Sequence, residues 1–117
     1  MGMKSNQIYL RFLSLLHAIE NSDELPQMDL EAKRLLEVIA IRFDQHKPLT
    51  VTEAMALGHI ASPATLHRKL DQLREMGMID TFFEGSNRRT KYMVPTATAL
   101  RYFEKAEKAL QSTLKAH

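Results

Sequence analysis

The amino-acid sequence predicts a mainly α fold with one small β-hairpin: a winged helix-turn-helix domain flanked by N- and C-terminal helices. Three observations carry this. Apolar residues recur at three- and four-residue spacing through most of the chain, and residues 50–77 carry the punctuation of two short helices joined by a tight turn. After Gly77 the pattern changes to period two on both sides of a loop, Gly85-Ser86-Asn87-Arg88-Arg89, as a hairpin requires. A chain of 117 residues with 44% hydrophobic content suits a single domain, 1–117, with a helix at 5–20, a core at 29–95 and a terminal helix at 96–117.

From Ser5 to Glu20, the residues Ile8, Tyr9, Phe12, Leu13, Leu15, Leu16 and Ile19 cover more than one helical stripe, so this helix needs partners on two sides. Asn21 to Met28, with Pro26, is a connection. Asp29 then suits the N-cap of a helix to about Gln45, with Leu35, Leu36, Ile39 and Phe43 inward, closed by His46-Lys47-Pro48. Thr50-Val51-Thr52-Glu53 has capping-box spacing and opens a short helix, Val51 to Leu57. Gly58 stands where a left-handed turn residue is expected. Ser62 can cap the next helix, whose first position, Pro63, needs no amide partner, and which runs to about Met76 before Gly77. Strands are expected at 78–83 and 91–94.

Leu66, Leu70 and Leu73 stand at i, i+4 and i+7, which turns Ala64, Thr65, His67, Arg68, Asp71 and Gln72 outward or to the flanks. At ~1.5 Å per residue this helix is about 20 Å long and narrow enough for a major groove ~12 Å wide. The candidate DNA contacts are therefore Ser62, Ala64, Thr65, His67, Arg68 and Gln72 on the helix, and Ser86, Asn87, Arg88, Arg89 and Lys91 on the wing. Arg68 is the strongest single candidate, since a guanidinium can hold guanine O6 and N7 bidentately or grip a phosphate. Ser62 serves first as a cap. Phosphates would repel Asp71, so it is expected to orient a neighbouring base or to sit outside the groove. Arg88 and Arg89 flank the tip, where a wing reaches the minor groove or the sugar-phosphate backbone.

The terminal helix, about Thr98 to Lys115, carries an apolar seam of Leu100, Phe103, Leu110 and Leu114, broadened by Tyr102, Ala106 and Ala109. Together with the apolar N-terminal helix it suits an intersubunit bundle, with Ile8, Phe12, Leu16, Phe103, Leu110 and Leu114 as dimerisation residues; the alternative is that the two helices pack on each other within one monomer. A symmetric dimer would place two recognition helices about one DNA turn, ~34 Å, apart.

The run from Ser62 to Ile79 resembles the recognition segment of the MarR family, which reads Ser, two variable residues, Thr, apolar, Ser/Thr, Arg, then apolar-Asp-x-Leu and Gly-Leu-Val. Asn87-Arg88-Arg89 falls where that family has Asp-Arg-Arg, nine residues before the Thr that opens the last helix, here Thr96. The similarity covers about Leu30 to Leu110. It implies a homodimeric transcriptional regulator on a pseudo-palindromic operator, often released by a small-molecule effector. The sequence departs from the family pattern at Asn87, which cannot make the Asp-Arg ion pair of the family's wing, and at Pro95 and Ala99.

Charge divides along the chain. Residues 1–61 carry six Lys/Arg and eight Asp/Glu, whereas residues 62–117 carry ten and six, so the net +2 is concentrated in the half proposed to meet DNA. With no cysteine there is neither a disulfide framework nor a thiolate metal site. The start lacks the features of a secretory signal, and no run approaches the roughly 18 apolar residues of a membrane span, so a cytoplasmic protein is expected. The histidines His17, His46, His59, His67 and His117 form no His-x3-His pair, and neither a Gly-rich phosphate loop nor a nucleophile motif is present, so no enzyme, metal or cofactor is expected. The seven methionines read as core filler. Two rivals to a regulator stay open: a winged-helix protein-protein module, and a plasmid replication or partition factor.

Overall fold

The computed structural model describes residues 6–116. Seven elements follow in order: α1 (Gln7–Glu20), α2 (Leu30–Asp44), α3 (Val51–Met55), α4 (Pro63–Glu75), β1 (Ile79–Phe83), β2 (Lys91–Pro95) and α5 (Ala97–Ala116). Ser5, the first residue of the predicted N-terminal helix, and His117 lie outside the described residues. The chain divides into two compact units, Met28–Ala99 and the combination of Met1–Gln27 with Leu100–His117.

In the unit 28–99, α2, α3 and α4 each begin at a side-chain cap that the local sequence supplies. Asp29 accepts the Ala32 amide at 2.9 Å and opens α2. Thr50 and Glu53 form the full capping box at α3, with Glu53 N–H to Thr50 Oγ1 at 3.1 Å and Thr50 N–H to Glu53 Oε1 at 2.9 Å. Ser62 accepts the Thr65 amide at 3.3 Å, and Pro63 occupies the first turn of α4. Both long helices end in a Schellman arrangement. At α4, Gly77 has φ 73°, its amide bonds to Arg74 C=O and the Met78 amide to Leu73 C=O, each at 2.9 Å. At α2 the same role falls to His46, at φ 61°, with His46 N–H to Phe43 C=O and Lys47 N–H to Arg42 C=O, each at 3.0 Å.

Two expectations are corrected here. Gly58 is not left-handed: positive φ among the described residues is confined to His46, Gly77 and Gly85. The reason is that α3 stops at Met55, two residues early, in tight i to i+3 bonds from Ala56 N–H to Glu53 C=O and from Leu57 N–H to Ala54 C=O, so no left-handed cap is needed. Phe43, expected inward, is 37% exposed, while Ala32, at 0%, takes the inner position three residues before Leu35. Position 43 continues the same stripe, four residues after Ile39, but it stands in the last turn of α2, which ends at Asp44.

The core of this unit gathers Leu35, Leu36 and Ile39 of α2, Leu49, Ala54 of α3, Leu66, Leu70 and Leu73 of α4, and Met78 and Met93, all at most 2% exposed. β1 and β2 pair antiparallel in the register Ile79 to Pro95, Thr81 to Met93 and Phe83 to Lys91. Alternation therefore puts Ile79, Met93 and Pro95 on the buried face, and it puts Phe83 and Lys91 at the outer end of that same face. The chain entering α3 lies beside β2, where Met93 N–H donates to Leu49 C=O at 2.9 Å and Thr50 pairs with Tyr92. Thr96 ties the end of β2 to the end of α4, with its hydroxyl donating to Gly77 C=O at 2.6 Å.

In the other unit, α1 has no buried residue, although it carries eight large apolar side chains. On α5, Tyr102, Ala109 and Thr113 are buried, and the Tyr102 hydroxyl donates to Glu20 at 2.5 Å. Lys105 pairs with Glu24. The predicted seam of α5 faces elsewhere: Leu100, Leu110 and Leu114 are 51%, 42% and 57% exposed.

Candidate nucleic-acid interface

The outer side of α4 begins at its cap. Ser62 is exposed and donates its hydroxyl to Thr65 Oγ1 at 3.1 Å, so these two candidates are brought together and both serve the helix end. Ala64, His67 and Arg68 are exposed, and Gln72 is half-buried on the flank. Asp71 sits 4.0 Å from His67 Nδ1 and 3.5 Å from Arg74 Nη1, so its charge is directed at side chains of its own helix. Arg68 makes no ion pair among the described residues.

Lys69 was not among the candidates. It lies on the same face as Leu66, Leu70 and Leu73, is only 8% exposed, and its ammonium meets Asp29 Oδ2 at 2.5 Å. The spacing from Leu66 was the available signal, because a lysine three residues after a buried leucine must either snorkel or find an acid. The Lys69 hydrogen bond, followed by the Ala32 amide, holds the Asp29 carboxyl below its ordinary value.

The wing tip turns on Gly85, at φ 57°, and on Asn87, whose side-chain oxygen accepts the Arg89 amide at 3.0 Å. Asn87 thus shapes the loop through the backbone, in place of an ion pair. Ser86, Asn87, Arg88, Arg89 and Lys91 are all exposed. The Arg88 guanidinium lies 5.6 Å and the Lys91 ammonium 5.8 Å from the centroid of the Phe83 ring. At the root of the wing, a groove of about 490 Å³ brings Arg88, Arg89 and Lys91 together with Arg74, Thr50 and Thr52. Arg74 is a second residue missing from the sequence-based set, because its approach to the wing depends on how α4 packs beside the hairpin. No cluster able to hold a metal ion occurs among the described residues, and no helix there is long and apolar enough to cross a membrane.

No protein-family profile matches the chain, and no curated protein matches it in sequence. Solved structures do. A MarR-like transcriptional regulator from Thermotoga maritima superposes with a TM-score of 0.60 at 18% identity, over 98% of this chain and 81% of the other. This chain has a MarR-like winged-helix fold. Rv1404 from Mycobacterium tuberculosis has the same TM-score, 0.60, at 19% identity, over 99% and 80% of the two chains. Staphylococcus aureus MarR, solved in complex with salicylate and kanamycin, gives 0.58 at 20% identity over 96% and 69%. Within this MarR-like fold, α3 and α4 form the helix-turn-helix and β1 and β2 the wing.

Proposed function

We propose that this chain is a sequence-specific, double-stranded DNA-binding transcriptional regulator, a repressor, that acts as a homodimer with α4 in the major groove and the wing at the adjacent minor groove. The observation that carries the reading is the set of exposed cations on the winged-helix unit that form no close ion pair among the described residues. Arg68 on α4 and Arg88, Arg89 and Lys91 on the wing are all exposed, and none pairs with a carboxylate among the described residues. Salt bridges would have neutralised an ordinary solvated surface at some of these positions, whereas phosphate contact requires the charges to be available. A protein-protein module has no need of four unpaired cations on these two elements.

The homodimer rests on the apolar surface of the helical unit: Ile8, Phe12 and Leu16 are only half-buried on α1, Phe103 is half-buried on α5, and Leu110 and Leu114 are exposed. Apolar side chains left open to water in this number are expected to be covered by a second copy. A small-molecule effector is included because Staphylococcus aureus MarR, of like fold, binds salicylate and kanamycin.

Repeated selection from a randomised duplex pool tests this reading. It should enrich a pseudo-palindrome whose half-sites lie about 10 base pairs apart, centre to centre. A pool that stays at its input composition after several rounds would overturn sequence-specific binding.

A further inference from the structure

The groove at the root of the wing shares Arg88, Arg89 and Lys91 with the wing and adds Arg74 of α4, and its chemistry is one-sided. Four cationic side chains line it, Arg74, Arg88, Arg89 and Lys91, and no carboxylate does. Glu53 of α3 has its carboxylate committed to the Thr50 amide at 2.9 Å, and of the four cations Asp71 pairs with Arg74, at 3.5 Å. Arg88 and Lys91 approach one ring, that of Phe83, at 5.6 and 5.8 Å, so two like charges are held near each other by cation–π contacts. An anion seated among them would relieve that repulsion. Thr50 is engaged with Glu53 through its amide and hydroxyl, and the hydroxyls of Thr52 and Thr90, which also line the groove, can donate to an anion there.

We propose that this groove is a seat for a phosphate-class oxyanion, with Arg74, Arg89 and Lys91 supplying charge and the threonine hydroxyls supplying directional donors. Two sources have that chemistry: a backbone phosphate of bound DNA, and a free phosphorylated small molecule. The first source rests on the DNA-binding reading; the seat itself does not.

The test has two arms. In the first, the DNA-free protein is titrated with inorganic phosphate against chloride at matched ionic strength, following the amide resonances of Thr50, Thr52, Arg74 and Thr90. Saturable shifts with phosphate but not chloride, abolished in both Arg74→Ala and Thr52→Val, are expected. Equal responses to the two anions would overturn the seat even if the protein binds DNA well. In the second arm, duplex binding by the wild type and Arg74→Ala is measured across a salt series. If DNA supplies the phosphate, Arg74→Ala lowers the salt slope by about one. If Arg74→Ala leaves the slope unchanged while the first arm is positive, a free phosphorylated ligand is the occupant. A protein that binds no duplex at all removes the DNA-binding reading and leaves the first arm to decide the seat.

Discussion

Asp29 holds two structures at once: its Oδ1 accepts the Ala32 amide at 2.9 Å, capping α2, and its Oδ2 meets the buried Lys69 ammonium of α4 at 2.5 Å. The start of α2 and the middle of α4 are thereby fastened by one carboxylate. Asp29 is half-exposed while Lys69 is nearly covered, so the aspartate can find water on unpairing and the lysine cannot.

Replacing Asp29 by Ala therefore removes a cap and leaves a covered ammonium without its acid. The expected loss is about 2 kcal/mol in urea denaturation, the cap supplying roughly 1 kcal/mol of it. Lys69→Met, which removes the charge and keeps the apolar stem, should cost less than Asp29→Ala. Equal costs for the two variants would contradict the added penalty of the lost cap and the stranded ammonium.

Acid stability follows from the same carboxyl and from Glu53. The Lys69 hydrogen bond lowers Asp29 from its ordinary 3.8, and the Thr50 amide and hydroxyl lower Glu53 from 4.5. A carboxyl depressed on folding binds fewer protons than in the unfolded chain just below its ordinary value, so its contribution is complete above about pH 5 and is lost as pH falls through 4 and lower. Unfolding free energy measured from pH 6 to 3 should decline, and Asp29→Asn should flatten that decline. An unchanged slope in Asp29→Asn would contradict the assignment.

Backbone conformation separates three positions that each follow a helix end. Gly77 is left-handed, at φ 73°, so Gly77→Ala should destabilise by about 1 kcal/mol. Gly58 is not left-handed and has open space where a Cβ would go, so Gly58→Ala should be neutral or stabilising by up to about 1 kcal/mol. His46 holds φ 61° against its own Cβ, so His46→Gly should stabilise by several tenths of a kcal/mol or more. Thermal denaturation of the three variants checks the order.

On DNA, the helix and the wing should fail differently. Arg68→Ala should narrow the gap between selected and random duplexes by about tenfold or more, since a bidentate base contact is worth roughly 1–3 kcal/mol. Arg89→Ala should weaken both alike and reduce the salt slope by about one. Matching slopes for the wild type and Arg89→Ala would count against a phosphate contact by the wing.

The helix starts were legible because caps are local: Asp29, Thr50 with Glu53, and Ser62 each act within three residues, and Gly77 announces its own turn. The leucine face of α4 was legible for the same reason. What escaped depends on packing between distant segments. Asp29 and Lys69 are 40 residues apart, and Arg74 meets the wing only once α4 and the hairpin are assembled. Gly58 misled because a glycine after a short helix signals a left-handed cap only if the helix ends in α geometry, and α3 ends in tighter bonds. Asn87 could be read as a departure from a familiar pattern, but its bond to the Arg89 amide, which lets it shape the wing without an ion pair, belongs to the folded loop.

Fluorescence anisotropy of the purified protein on a selected duplex and on a random one, across a salt series, tests the central claim most directly. The account predicts binding that weakens steeply with salt on both and is about a thousandfold or more tighter on the selected site. Equal affinity for the two duplexes, or no binding at low salt, would contradict it.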